Sequence, residues 1–235
     1  AARRGHDVTL FEASDVLGGN MRLAAYPPGK GDITNMIRSY ITKCEKAGVK
    51  IVLNTEVTAD LIKKDAPDAV IVATGSKHRP LGVPGEEELN SRGVSYCAVC
   101  DGAFFRDQDL LVVGGGDSAV EEALFLTRFA KTVTIVHRRD QLRAQKVLQD
   151  RAFANEKVNF IWDSVVKEIK GENRVESVVF ENVKTGQVTE QDFGGVFIYV
   201  GLDPVSEFAK DLGITNKAGW IVTDNHMKTA ISGIY

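Results

Sequence analysis

At 235 residues the chain is about one and a half times a 150-residue domain, which allows one large domain or two modest ones. With 43% hydrophobic, 26% charged and 8% aromatic residues it is an ordinary globular composition, which excludes collagen-like, low-complexity and disordered classes. Its net charge of −3 and a pI near 5.9 lack the basic excess of a nucleic-acid binder, so neither DNA nor RNA is expected as a partner.

In chain order, Val8-Thr9-Leu10-Phe11-Glu12 reads as a short strand ending in a carboxylate, followed by a Gly18-Gly19 turn and a Tyr26-Pro27-Pro28-Gly29 loop. From Asp32 onward Ile33, Met36, Ile37, Tyr40, Ile41 and Cys44 recur at helical spacing, and Gly48 stops the helix. Cys44, on the apolar face, is expected to be buried and structural. Val49 to Leu53 and Asp68 to Val72 read as two more strands, the second running into Ala73-Thr74-Gly75. Pro80 to Gly93, with its prolines, glycines and Glu86-Glu87-Glu88, reads as an interdomain connection.

A second unit follows: strand Leu110 to Val113, helix Ser118 to Arg128 and strand Thr132 to Val136. Val158 to Val200 reads as shorter strands with a turn at Lys184-Thr185-Gly186, and Gly219 to Val222 and Ile234-Tyr235 as the start of a further segment. Strands alternating with helices predict a parallel, layered α/β sheet. No internal repeat is present.

Gly114-Gly115-Gly116-Asp117-Ser118-Ala119 fits G-x-G-x-x-A between strand and helix, where glycines admit a pyrophosphate to the helix N-terminal amides. About 20 residues on, where an acid would hold the ribose of NAD, stand His137, Arg138 and Arg139, with Arg143 one turn further. Cations there suit a 2′-phosphate, so NADPH is the expected nucleotide.

Cys97 and Cys100 form one C-x-x-C pair, followed by Asp101 as a proton carrier. The spacing suits a small redox disulfide or half of a zinc site. Zinc would need two more ligands, whereas His6, His78, His137 and His226 are scattered singly, so redox use is preferred and no metal is expected. Three cysteines are too few for a secreted disulfide scaffold. No apolar run approaches the roughly 18 to 20 residues of a membrane span, and Ala1-Ala2-Arg3-Arg4 is not a signal peptide. The expectation is a cytoplasmic protein with no membrane partner. The chain opens mid-pattern without an initiator methionine, which leaves an upstream targeting segment open.

Glu12 stands where a dinucleotide fold places its ribose ligand, which puts the matching glycine loop about 20 residues earlier, before residue 1.

The stretch from Ser95 to Phe105, the run Val113 to Ala123 and Val136-His137-Arg138-Arg139-Asp140 together resemble the bacterial low-molecular-weight thioredoxin reductases over roughly residues 83 to 235. Leu10 to Ala13, Leu17 to Asn20, Asn54 to Val57 and Asp68 to Gly75 are more similar to the flavin-linked part of 2,4-dienoyl-CoA reductases, so the chain reads as a truncated hybrid. The resemblance implies an α/β fold of two Rossmann-like dinucleotide-binding domains. An NADPH-binding domain, 81–205, carries the redox C-x-x-C and is inserted into an incomplete FAD-binding domain, 1–80 with 206–235.

It further implies that electrons pass from NADPH through FAD to the Cys97/Cys100 disulfide and on to thioredoxin or a similar small disulfide protein. Cys100 would face the flavin, Cys97 would attack the partner disulfide and Asp101 would move protons. Gly114, Gly116, Asp117, Ser118 and Ala119 would form the pyrophosphate site, and His137, Arg138, Arg139 and Arg143 the 2′-phosphate site. Glu12, Gly18, Gly19, Val57, Ala73, Thr74 and Gly75 would line the FAD site. Gly233-Ile234-Tyr235 ends where both families continue into a second FAD contact, so poor FAD retention is expected. A homodimer is one further expectation. The rival readings are an NADP-binding module without turnover and a fragment of a dienoyl-CoA reductase-type flavin oxidoreductase.

Overall fold

The computed structural model describes residues 1–23, 25 and 30–235, which divide into one unit of Ala1–Ser76 with Pro204–Tyr235 and another of Lys77–Asp203. The expected loop at Tyr26-Pro27-Pro28-Gly29 lies outside the described residues.

In the first unit β1 (Thr9–Phe11) is followed by α1 (Asn20–Leu23) and α2 (Asp32–Lys46), and the crossover returns to β2 (Lys50–Val52), which pairs in parallel with β1, Leu10 opposite Ile51. Gly48 takes φ 76° just past α2, a left-handed conformation that ends the helix without strain. No residue of α2 is buried: Tyr40 is 58% exposed and Cys44 only half-buried. The expected burial of Cys44 is thus corrected. A two-stranded ladder offers too little surface to cover the helix's apolar face. α3 (Ala59–Asp65) starts at Thr58, whose hydroxyl accepts the Leu61 N–H at 3.2 Å.

The expected strand at 68–72 is reduced to an isolated parallel bridge between Val70 and Ile234, with Val70 N–H bonded to Gly233 O and Val72 N–H to Tyr235 O, both at 2.7 Å. Around it Ala209, Ile214 and Ile234 form a small core.

The chain leaves this unit through β3 (Ser76–His78). The second unit contains β4 (Val94–Ser95), α4 (Ala98–Asp101), β5 (Asp109–Val113), α5 (Asp117–Leu126), β6 (Thr132–Val136), α6 (Lys146–Phe153) and β7 (Val158–Ile161). It continues with β8 (Ser164–Lys170), β9 (Ser177–Asn182), β10 (Val188–Asp192) and β11 (Gly195–Ile198), and the chain returns through β12 (Leu202–Pro204), the ladder neighbour of β3.

Five strands in the order β4-β11-β5-β6-β7 form an all-parallel sheet, and β8, β9 and β10 an antiparallel meander. Period-two alternation explains the unbroken apolar run of β5. Leu110 and Val112 face α5 with Ala119, Val120, Ala123 and Leu126, while Leu111 and Val113 face the meander with Val166, Val178 and Phe180. Burying a leucine fully contributes about 2 to 3 kcal/mol, so these layers anchor the unit.

The segment 80–93 is not the connection its composition predicts; it packs inside the second unit. A Cβ on Gly85 (φ 84°) would lie 1.8 Å from Ile169 O, and one on Gly93 would lie 2.6 Å from the Val175 side chain. These glycines permit close backbone approach rather than flexibility. Glu86 is buried, and its carboxylate accepts Leu81 N–H (2.9 Å), Gly82 N–H (2.7 Å) and the Tyr96 hydroxyl (2.7 Å).

Candidate functional site

β4 delivers Ser95 to a tight turn. Its buried hydroxyl accepts Cys97 N–H at 3.1 Å and donates to Asp101 Oδ2 at 2.6 Å. Cys97 is extended and caps α4, its Sγ accepting Cys100 N–H at 3.2 Å. Cys97 and Cys100 are joined as a disulfide, their Cα atoms 5.2 Å apart. Ala98 between them is fully buried and Val99 is 48% exposed, so the turn has one face in the core and one in solvent. The Ala98 N–H donates to the Tyr199 hydroxyl at 2.7 Å. Burial, then the charges of Glu122 and Asp101, push the Tyr199 phenol up. On the other side Tyr96 donates to Glu86 and stacks on His78 with ring centroids 3.6 Å apart.

The glycine loop follows the carboxyl end of β5. Gly114 takes φ 150°, and a Cβ there would lie 2.5 Å from Tyr199 O and 2.8 Å from the Ala119 Cβ. A Cβ on Gly115 would lie 2.4 Å from His137 Nδ1. Gly116 differs: nothing lies within 4 Å of its Cβ position, so the loop is open just where α5 begins. No side chain caps that helix, and its first-turn amides, Asp117, Ser118 and Ala119, are the donors a phosphate requires. Asp117 is committed elsewhere, its two carboxylate oxygens accepting Gln145 N–H (2.7 Å) and Gln145 Nε2 (3.3 Å). Together with the Arg143 and Ala144 amides on Gly115 O (2.7 and 3.1 Å), this clamps the 143–145 segment onto the loop.

Arg138, Arg139 and Arg143 are exposed. None forms an ion pair among the described residues. His137 is 5% exposed, with Nε2 lacking a partner. Burial first, then the charges of Arg143, Arg138 and Arg139, depress its pKa, and the buried ring packs against Gly115.

In the first unit Glu12 follows β1, and its Oε1 accepts Ser14 N–H (2.8 Å) and Ser14 Oγ (2.9 Å), which hold the carboxyl below its ordinary value. Among the described residues Oε2 accepts no hydrogen bond. Gly18 is packed, its Cβ position 2.9 Å from the Arg22 side chain, while Gly19 and Gly75 are open. Val57 is half-buried, and Ala73, Thr74 and Gly75 are exposed, the Thr74 hydroxyl bonding Val205 O. A carboxylate held below its ordinary pKa after a strand, and two glycines with open Cβ positions, are features a dinucleotide site can use.

A groove of about 560 Å³ lined by Gln108, Lys131, Arg174 and Phe193 lies at the opposite, amino ends of β5 and β11, away from this chemistry. Among the described residues no group of three His, Cys, Asp or Glu could hold a metal, and no helix is long and apolar enough to cross a membrane. Sequence reading missed Ser95 and Tyr199. Ser95 is legible only as the hydroxyl two residues before Cys97; Tyr199 carries no local signal, because it meets Ala98 across 101 residues.

A glycine loop on a parallel sheet and a disulfide spanning two residues, held in one unit, define the architecture of a dinucleotide-linked disulfide oxidoreductase. Residues 1–235 match the family described as pyridine nucleotide-disulphide oxidoreductase, and the chain belongs to that family. It is 52% identical over 206 residues to a thioredoxin reductase of Bacillus subtilis, covering 87% of this chain and 61% of that protein. It is 58% identical over 168 residues to a thioredoxin reductase of Listeria innocua, covering 71% of this chain and 53% of the relative. The chain therefore spans between one half and two thirds of the length of these relatives. Its fold superposes on the crystal structure of Lactococcus lactis thioredoxin reductase (FR conformation) with TM-score 0.76 and 50% identity, covering 100% of this chain and 82% of that one.

Proposed function

We propose that the chain carries the nucleotide-binding and redox parts of a thioredoxin reductase, taking electrons from NADPH and delivering them through Cys97 and Cys100 to the disulfide of a small thioredoxin-like protein. The observation that carries this reading is the Cys97–Cys100 disulfide on a turn that also holds Asp101 through Ser95. The Gly114–Gly116 loop and α5 would take the pyrophosphate, and Arg138, Arg139 and Arg143 the 2′-phosphate. Asp117, by contrast, organises the loop through Gln145. Glu12, Gly19 and Gly75 would hold the ribose and phosphates of FAD. When bound, FAD supplies a two-electron relay between the nicotinamide and the disulfide.

The chain's own residues do the thiol chemistry. Reduction breaks the S–S bond and leaves two sulfurs that need one proton between them if one stays a thiolate. Asp101 is the proton carrier, held by Ser95 on the turn that bears both cysteines. The Cys100 N–H, 3.2 Å from Cys97 Sγ, favours the thiolate on Cys97. That thiolate attacks the partner disulfide, forming a mixed disulfide and releasing one partner thiol. Cys100 then attacks Cys97 Sγ, releasing the second and restoring the Cys97–Cys100 bond. A disulfide that turns over belongs in a reducing compartment, which favours the cytoplasm.

The test combines nucleotide titration with thiol counting. NADPH should bind more tightly than NADH, and the chain should show three thiols when reduced and one when oxidised. With FAD kept in large excess to offset its expected poor retention, and with NADPH, the chain should reduce a thioredoxin disulfide, and Cys97→Ser and Cys100→Ser should each stop that reduction. A pair that never oxidises, or a Cys97→Ser variant at wild-type rate, would overturn the reading.

A further inference from the structure

Tyr199, just beyond β11, touches the glycine loop and the redox turn at once. Its N–H donates to Val113 O at 2.8 Å, and its carbonyl oxygen leaves no room for a Cβ on Gly114. Its hydroxyl accepts the N–H of Ala98, the fully buried residue that follows Cys97. The hydroxyl is also within electrostatic reach of Glu122 on α5 and Asp101 on α4.

We propose that Tyr199 is a positioning residue that holds the Cys97–Cys100 turn in its disulfide form through the Ala98 amide and couples that form to occupancy of the glycine loop. The coupling rests on reading Gly114–Gly116 as the nucleotide site. The disulfide and the Ala98–Tyr199 hydrogen bond are present together. Removing the hydroxyl leaves a buried amide without an acceptor, a cost that falls on the constrained disulfide form and is relieved when the opened turn relaxes. A nucleotide pressing on Gly114 acts on the Tyr199 backbone behind it, and by linkage the redox state must change nucleotide affinity by the same factor.

The whole chain and its Tyr199→Phe variant, which keeps the ring, are equilibrated in glutathione buffers. Two glutathione thiols become one glutathione disulfide as the Cys97–Cys100 bond is cleaved and both sulfurs are protonated. Alkylation and mass measurement then separate the forms, one label on the disulfide form, at Cys44, and three on the dithiol. Tyr199→Phe should shift the equilibrium toward dithiol by about tenfold, about 30 mV for this two-electron couple. The melting temperature of each form is followed alongside, so that a general loss of stability is distinguished from a shift of the disulfide equilibrium.

NADP⁺ should bind the wild-type disulfide and dithiol forms with affinities differing by about threefold or more, and the Tyr199→Phe forms equally. A lower melting temperature with an unshifted disulfide equilibrium would make Tyr199 merely structural and reject its role, whatever binds. Absence of NADP⁺ binding by both wild-type forms would reject the nucleotide reading and the coupling with it.

Discussion

Ser95 and Asp101 are six residues apart in sequence and 2.6 Å apart in space, the hydroxyl donating to the carboxylate while its oxygen accepts the Cys97 N–H. One buried serine thus orients both the N-terminal cysteine and the carboxyl group on the turn that closes the disulfide. A carboxyl group left to rotate freely would meet a sulfur only part of the time.

Asp101→Asn keeps an acceptor for Ser95 but cannot exchange a proton. Thiol–disulfide exchange at Cys97/Cys100 should slow by about 10²-fold, with NADPH affinity unchanged. Ser95→Ala should slow it by about tenfold, because the carboxyl remains but is no longer held. Stopped-flow exchange with a small disulfide measures both. Wild-type rates in Asp101→Asn would remove Asp101 from the chemistry.

Arg138 and Arg139 are exposed, and each can pair with a phosphate at no cost in broken ion pairs among the described residues. Charge-assisted pairing to two guanidiniums contributes on the order of 2 to 4 kcal/mol. Replacing both with alanine should weaken NADPH binding by about two orders of magnitude and leave NADH nearly unchanged. Equal losses for the two nucleotides would show that the cluster does not read the 2′-phosphate.

The parallel sheet was legible because the apolar run Leu110 to Val113 and the β-branched run Thr132 to Val136 are of strand length and separated by a helical pattern. The C-x-x-C pair was legible because its chemistry is local. Pro80 to Gly93 misled because proline and glycine signal turns without saying whether the turn is packed; Gly85 is there to let Ile169 O approach. Asp68 to Val72 misled because a short apolar run shows a wish to pair but not that a partner exists, and here it finds one bridge, at Ile234. Cys44 misled in the same way: an apolar helical face does not guarantee a surface to cover it. The long-range hydroxyl contact of Tyr199 has no periodic signature at all.

Gly85 and Gly116 should respond in opposite ways to alanine. At Gly85 the left-handed φ and the 1.8 Å approach to Ile169 O force a backbone shift, so Gly85→Ala should cost about 2 kcal/mol or more in denaturant unfolding. Gly116 has φ −92° and open space, so Gly116→Ala should leave the unfolding midpoint within about 0.5 kcal/mol of wild type. Its methyl group would instead stand where the pyrophosphate must approach and weaken nucleotide binding. A Gly116→Ala chain that binds NADPH normally would mean the phosphate lies elsewhere.

Tyr96 holds its proton unusually tightly: burial, then the hydrogen bond and charge of Glu86, raise its pKa above the ordinary 10.0. The folded state therefore keeps a proton that the unfolded state gives up above about pH 10, and stability falls as pH rises beyond that point. Below pH 10 both states are protonated and the contribution is fully present. Tyr96→Phe should flatten part of this alkaline slope while lowering neutral-pH stability by about 1 kcal/mol through the lost hydrogen bond. Urea unfolding from pH 8 to 11 checks both, and an unchanged alkaline slope would show that the Tyr96–Glu86 bond is not maintained.

His137 tests the basic cluster from the inside. Burial, then Arg143, Arg138 and Arg139, depress its pKa below the ordinary 6.5, and its Nε2 has no partner. Above pH 6.5 the ring is neutral in both folded and unfolded chains, and its contribution to stability is fully present. As pH falls the unfolded chain takes up a proton that the folded one resists, so stability declines until the folded pKa is passed. His137→Gln should reduce that acid-side slope. A bound 2′-phosphate would offset the arginine charges, so NADP⁺ should move the His137 titration upward, toward its ordinary value, while NAD⁺ should move it less. Ring-proton NMR from pH 5 to 8 follows this directly. A ring that titrates at its ordinary value and ignores both nucleotides would mean that the arginines neither crowd His137 nor bind phosphate beside it.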